Sequence, residues 1–202
     1  MSAPKILIAF YSRSGSVEAL ANAVAEGAKA AGAEVRLRRA REFVTPEVMA
    51  QAPGWKEQAD AMNAKYEAPT PDDAVWADAI LFGTPTRFGA VSAELKAYID
   101  GLGALWAEGK LNGKAGSVFG GSATPHGGNE VTLLSLYPTF AHLGLIIVPT
   151  GYGDAAMFKG AGTPYGASVV SGNPPALPNA DELDVARYQG RRVAQIAAKL
   201  KA

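Results

Sequence analysis

The chain contains no cysteine. Disulfide cross-links, thiolate nucleophiles and cysteine-ligated metal centres are therefore excluded. Only two histidines are present, so a three-histidine metal site is excluded as well. Neither charge sign is in excess: 19 basic residues face 19 acidic ones, and no basic stripe stands out. That balance argues against a general nucleic-acid or membrane-surface binder. No apolar run approaches the roughly 18 residues needed to cross a bilayer. The amino terminus enters an apolar strand directly and lacks the n-region and h-region of a secretory signal. These absences predict a soluble, cytoplasmic, globular protein in which any redox chemistry comes from a bound cofactor.

What is present suits one domain. A chain of 202 residues is long enough to bury a full core, and no linker or internal repeat divides it. Five strand-like runs alternate with helical patterns. The runs are Lys5–Tyr11, Glu34–Arg38, Ala77–Gly83, Ala115–Phe119 and Leu145–Pro149. Helices are predicted over Val17–Ala31, Ser92–Leu105, about Glu130–Leu143 (with Pro138 as a bend or break) and Asp181–Lys201. Two stretches exceed a normal connection. One runs from about residue 41 to 71, with short helices around Pro46–Ala52 and Trp55–Ala64; the other spans 151–179 and is rich in Gly and Pro. Their aromatic and Met residues suit either a cover for the sheet edge or a subunit interface. The alternation predicts an α/β, doubly wound parallel sheet with helices on both faces.

Ligands in such sheets bind beyond the carboxyl ends of the strands. Three unusual loops fall there. The first is Ser12-Arg13-Ser14-Gly15-Ser16-Val17, a hydroxyl-rich turn into a helix start, where free N–H groups and the helix dipole suit an anion. The second is Pro85-Thr86-Arg87-Phe88-Gly89-Ala90. The third, within Gly120–Asn129, contains Ser122, Ala123, Thr124, Pro125, His126 and Gly127. Neither G-x-G-x-x-G nor G-x-x-x-x-G-K-[ST] is present, which disfavours a dinucleotide fold of the Rossmann type and a P-loop NTPase. A phosphate held mostly by neutral donors, with a flat heterocycle gripped by two further loops, is the arrangement expected for FMN.

The segment Phe82-Gly83-Thr84-Pro85-Thr86-Arg87-Phe88-Gly89 resembles the signature of the WrbA-type NAD(P)H:quinone oxidoreductases of the flavodoxin-like superfamily. The resemblance continues through Gly103–Ala107, Gly113–Phe119, Ala141–Gly144, Ile147–Pro149, Gly151-Tyr152, Gly162–Ala167 and Ala186–Gly190, in order and over nearly the whole chain. It implies a flavodoxin-like fold with strand order 2-1-3-4-5, FMN at the switch between strands 1 and 3, and a homotetramer. It implies that the three loops hold FMN and that His142 sits near the flavin ring. Trp106 and Phe88 would wall the pocket for quinone or nicotinamide. NADH or NADPH would deliver hydride, and a quinone would leave with two electrons by ping-pong exchange. The chain departs from the family at Ser14, where a Tyr associated with nicotinamide binding is common. It departs again in the third loop, which is one residue longer and contains Pro125 and His126.

Taken without the resemblance, several of these residues have plainer readings. His142 beside a helix end suits a structural hydrogen bond as well as a proton donor to a quinone oxygen. Trp106 and Phe88 suit packing, Arg87 a surface ion pair, and His126 plain solvent exposure. The same loops would also serve an electron-carrying flavodoxin or a flavin-binding partner protein. Such carriers are usually strongly acidic, whereas this chain is neutral.

Overall fold

The structure is a computed structural model that describes residues 2–159 and 162–201. In chain order the elements are β1 (Lys5–Phe10), α1 (Ser16–Ala30), β2 (Glu34–Arg39), α2 (Pro46–Met49), α3 (Trp55–Lys65), α4 (Pro71–Trp76) and β3 (Ala79–Pro85). They continue with α5 (Ala93–Asp100), α6 (Gly103–Ala107), β4 (Ala115–Ser122), α7 (Asn129–Ser135), α8 (Tyr137–Leu143), β5 (Ile146–Ile147), β6 (Ser168–Val170) and α9 (Ala180–Leu200). The sheet is parallel in the order β2-β1-β3-β4-β5, which is the flavodoxin-like order expected from the sequence. Its strand order reverses at β1, so the carboxyl ends of β1 and β3 form the switch point.

The alternation of side chains along β1 divides the core into two layers. Ile6, Ile8 and Phe10 face α1 and α9, while Leu7, Ala9 and Tyr11 face the layer built from α4, α5, α7 and α8. All six are fully buried, which accounts for a nearly unbroken apolar run in a strand covered on both sides. The long helix expected after Ser92 breaks at Gly101-Leu102 into α5 and α6. The one expected before Leu143 breaks at Leu136, and Pro138 lies in the first turn of α8, where its missing N–H is harmless.

The fifth strand differs from its sequence reading. It is reduced to β5, beside the start of β4, and a second piece, β6, lies beside the end of β4. The described residues between them form no further strand, so the excursion interrupts the strand rather than following it. The outer edge of β4 is left bare in the middle, and a side chain fills it. Gln189 of α9 is fully buried; its Nε2 donates to the Val118 carbonyl and the Ser117 hydroxyl, both at 2.8 Å. Its Oε1 accepts the Ala167 N–H at 2.9 Å. Gln189 therefore supplies the hydrogen bonds that the missing strand residues would have made.

That reach requires α9 to lie close to the sheet and to α1, and two glycines allow it. A Cβ on Gly190 would stand 1.9 Å from the Val24 carbonyl oxygen, and one on Gly27 would stand 1.9 Å from that of Arg187. The stretch of 41–71 packs inward rather than away. Met62 and Tyr66 join the α1 layer of the core, and the Tyr66 hydroxyl donates to Glu18 of α1 at 2.8 Å. α4 is an element the sequence reading did not assign. It is set by a capping box between Thr70 and Asp73, and the Lys114 ammonium caps its far end by donating to the Ala74, Val75 and Ala77 carbonyls. Among the described residues, no helix is long and apolar enough to cross a membrane.

Replacing Gln189 with Leu strands the Val118 carbonyl and the Ala167 N–H in a dry interior. A loss of about 2–4 kcal/mol in urea unfolding is expected, and a loss under 1 kcal/mol would show that water replaces the amide. Asp73 generates a second prediction. Burial raises its pKa, but hydrogen bonds from Arg38, the Thr70 backbone and Arg36 outweigh that and hold it below the ordinary value. A depressed carboxylate stabilises the fold fully above its unfolded pKa, near 3.8, and that contribution disappears as pH falls through the lower folded value. Asp73→Asn should flatten stability against pH in that acid range, measured by urea midpoints.

Candidate functional site

The turn after β1 is built around Gly15, whose φ of +86° lies in the left-handed region. No side chain caps α1. The Ser12 hydroxyl instead accepts the Gly15 N–H at 3.2 Å, and the first bond along the helix runs from the Ala19 N–H to the Gly15 carbonyl. The N–H groups of Ser16, Val17 and Glu18 precede that bond and have no partner within the helix. An uncapped start of a 15-residue helix therefore opens at the switch point, with its positive end available to an anion.

Arg39 holds this turn from below. Its guanidinium is fully buried and donates to the Ser12 carbonyl at 3.0 Å, to both carboxylate oxygens of Glu42 and to Asn63 of α3. Tyr11 packs under the guanidinium, and burial, reinforced by Glu94 and Glu42, pushes its phenol pKa up so that it stays neutral.

The loop after β3 is pinned to β4 by the Thr86 N–H, which donates to the Gly121 carbonyl at 2.8 Å. The Thr86 hydroxyl accepts from the Gly89 N–H and from the Thr132 hydroxyl. Arg87 and Ala90 exchange backbone hydrogen bonds across a two-residue turn in which Phe88 has φ +55° and Gly89 φ +78°. Both central residues are left-handed, as in a type I′ turn. For Phe this conformation costs about 1 kcal/mol, and the ring gains no packing from it, because Phe88 is fully exposed.

These segments line one cleft of about 610 Å³, within the size range of small-molecule sites. Ser12, Arg13, Ser14, Ser16 and Val17 form one end, Pro85, Thr86 and Arg87 a second wall, and Gly121, Ser122, Ala123 and Thr124 a third. Two walls come from the long excursions: Ala52–Trp55 with Gln58, and Ser171–Asn173 with Pro175.

The family model described as NADPH-dependent FMN reductase matches residues 6–158. The chain is also 44% identical, over 99% of both chains, to a protein of Deinococcus radiodurans named NAD(P)H dehydrogenase (quinone). The chain belongs to the NADPH-dependent FMN reductase family. Its fold is shared by a WrbA-like flavodoxin of Agrobacterium tumefaciens, with a TM-score of 0.66 at 24% identity over 98% and 99% of the two chains. It is shared too by a flavodoxin from the domain Archaea, with a TM-score of 0.61 at 16% identity and the same coverage.

For a chain of this family the donor set in the cleft fits a flavin mononucleotide. The three free N–H groups at the α1 start and the serine hydroxyls beside them suit a phosphate, and the β3 and β4 loops supply the neighbouring walls. Among the expected third-loop residues, Ser122, Ala123 and Thr124 reach the cleft, whereas Pro125, His126 and Gly127 do not line it. Phe88, Gly89 and Ala90, which follow the lining residue Arg87, do not line it.

His142 and Trp106 lie elsewhere. His142 is exposed near the end of α8, and the Gly144 carbonyl accepts from Gly113 beside the start of β4. Trp106, 57% exposed on α6, also lies on the path into β4. The cleft is at the other end of β4, which spans about 23 Å at 3.3 Å per residue, so neither residue lines it within one chain.

Trp55, Gln58 and Ser171–Pro175 were not assigned to the site from sequence. Their signal was weak: an aromatic after Pro53-Gly54 and a Gly-Asn-Pro-Pro run, both inside the long excursions.

Phe88→Gly removes an exposed ring and relieves a left-handed strain, so stability should change by less than about 1 kcal/mol. Turnover of quinone should fall if the ring walls the pocket; unchanged turnover would take Phe88 out of the substrate site.

Proposed function

We propose that this chain is an FMN-dependent NAD(P)H:quinone oxidoreductase that reduces quinones by two electrons, the nicotinamide and the quinone using one pocket in turn. The carrying observation is the convergence of the uncapped start of α1 with the β3 and β4 loops in one cleft at the switch point. The name of the Deinococcus relative, at 44% identity over nearly the full length, supports the same activity.

FMN bound there would supply the two-electron chemistry that this cysteine-free chain lacks. The residues contribute binding, orientation and electrostatics. The α1 start with Ser12, Ser14 and Ser16 holds the phosphate. In the β3 loop the Thr86 and Arg87 N–H groups are already spent on Gly121 and Ala90, which fix the loop, so the Phe88 N–H is the backbone donor this stretch offers where negative charge develops on the ring. No acidic side chain lines the cleft among the described residues, while Arg13 and Arg87 do, so the site favours anionic ligands throughout. The neutral chain lacks the acidic face by which an electron carrier would steer to basic partners, which favours the enzyme over a flavodoxin role.

The same reading extends to assembly as a homotetramer in the cytoplasm. Phe88 stands fully exposed next to the lining residue Arg87, and Val131, 55% exposed, lies against Gly89. His142 and Trp106 are surface residues at the opposite end of the sheet. A neighbouring copy would cover Phe88 and bring His142 and Trp106 to the ring, where His142 donates a proton to the quinone oxygen.

In the test, the protein takes up FMN, is bleached by NADH or NADPH without a partner protein, and is reoxidised by benzoquinone. Initial-rate plots should be parallel, and intersecting lines would exclude the shared pocket. His142→Ala should lower quinone turnover with FMN retained, and turnover should fall when dilution dissociates the assembly. Full turnover in either case would remove His142 from the mechanism.

A further inference from the structure

The wall contributed by α3 places a feature against the phosphate turn that the activity does not by itself require. The Arg13 guanidinium lies over the Trp55 ring with its central carbon 3.7 Å from the ring centroid, at van der Waals contact. Both residues line the cleft. Stacking uses only the flat face of a guanidinium, and its five N–H donors lie in the plane at the edge. Among the described residues no carboxylate pairs with Arg13, whereas Arg36, Arg38, Arg39, Arg187 and Arg191 each meet one. Arg87, the other cation of the cleft, already donates to the Thr86 carbonyl.

The Trp55 indole Nε1 is buried with no hydrogen-bond partner, so the contact the ring makes in the cleft is the stack of its face on Arg13. The helix that carries the ring is tied to the helix whose start receives the phosphate. Tyr66, at the end of α3, accepts from Asn22 at 3.0 Å and donates to Glu18, and Lys65 pairs with Glu18 at 3.0 Å. Asn63 accepts from Arg39, which also holds the Ser12 carbonyl. Ring, turn and helix start are therefore parts of one connected unit.

We propose that Arg13 is the specificity-determining contact that makes this site select the phosphorylated flavin, and that Trp55 is the positioning residue that holds Arg13 flat with its donors turned to the phosphate. The proposal rests on the flavin reading above. An arginine confined against a ring has fewer rotamers to lose on binding than a free one, so its charge-assisted hydrogen bonds reach the phosphate at lower entropic cost. The neutral donors of the turn recognise the position of the phosphate, and Arg13 recognises its charge.

The experiment titrates apoprotein with FMN and with riboflavin, following quenching of flavin fluorescence at low and high salt. Wild-type protein should prefer FMN. Arg13→Ala should weaken FMN about tenfold to a hundredfold, leave riboflavin within about twofold and flatten the salt dependence. Trp55→Ala should weaken FMN less, Trp55→Phe should restore most of the loss, and the double variant should bind FMN no more weakly than Arg13→Ala alone. Equal losses for both flavins in Arg13→Ala, or preference for FMN that survives it, would overturn the proposal while leaving the flavin reading intact. Additive losses in the double variant would overturn the role of Trp55. Wild-type protein that binds neither flavin would overturn the flavin reading and this proposal with it.

Discussion

The architecture depends on a single amide side chain standing in for a strand. A parallel sheet tolerates no bare polar backbone in its interior, yet the fifth strand stops after β5 and resumes as β6. Gln189 bonds to Ser117, Val118 and Ala167 across that break, so β6 stays against the end of β4. The position of β6 matters to the site, because the chain runs straight from it into Ser171–Pro175, one wall of the cleft. The close approach of α1 and α9 at Gly27 and Gly190 is the geometric condition for the amide to reach. Helix packing, sheet closure and the cleft are thus linked through adjacent residues of α9.

A second buried group does the same for the other end of the cleft. Arg39, at the end of β2, is neutralised by Glu42 and anchored to Asn63, and it grips the carbonyl of Ser12. A buried ion pair contributes little net stability compared with an apolar replacement, because desolvation offsets attraction. What it provides here is connection: it fixes the turn after β1 to α3, so that two walls of the cleft are held together. The strained, exposed Phe88 is the converse case. Backbone hydrogen bonds between Arg87 and Ala90 hold its left-handed turn, but the ring itself is left fully exposed, as suits a contact from outside the chain.

The cleft also separates two kinds of site residue. Those that would hold the cofactor come from consecutive carboxyl ends of β1, β3 and β4 and are assembled by the fold of one chain. Those linked by family resemblance to the reacting partner, His142 and Trp106, lie at the amino ends of the strands, a strand's length away. A parallel sheet sends its two sets of connections to opposite edges, so one copy of the fold does not bring both sets together.

The amino-acid sequence determined the fold class, the strand order through its resemblance, and the three loops. Apolar runs with turn residues at their ends specify a parallel sheet, and Gly15 among serines specifies an open helix start. It also signalled the break near Pro138. It did not disclose β6, because three residues of an interrupted strand are too short to show a period, nor α4, whose six residues are set by the Thr70–Asp73 cap. The roles of Gln189 and of Trp55 were equally hidden. Each acts on residues far away in the chain: Gln189 sits 71 positions from Val118, and Trp55 meets Arg13 only because α3 folds back over α1. Local pattern reads contacts one helical turn or one strand pleat away. Which distant side chain fills a gap in a sheet, or lies flat against a cation, is decided by packing in three dimensions.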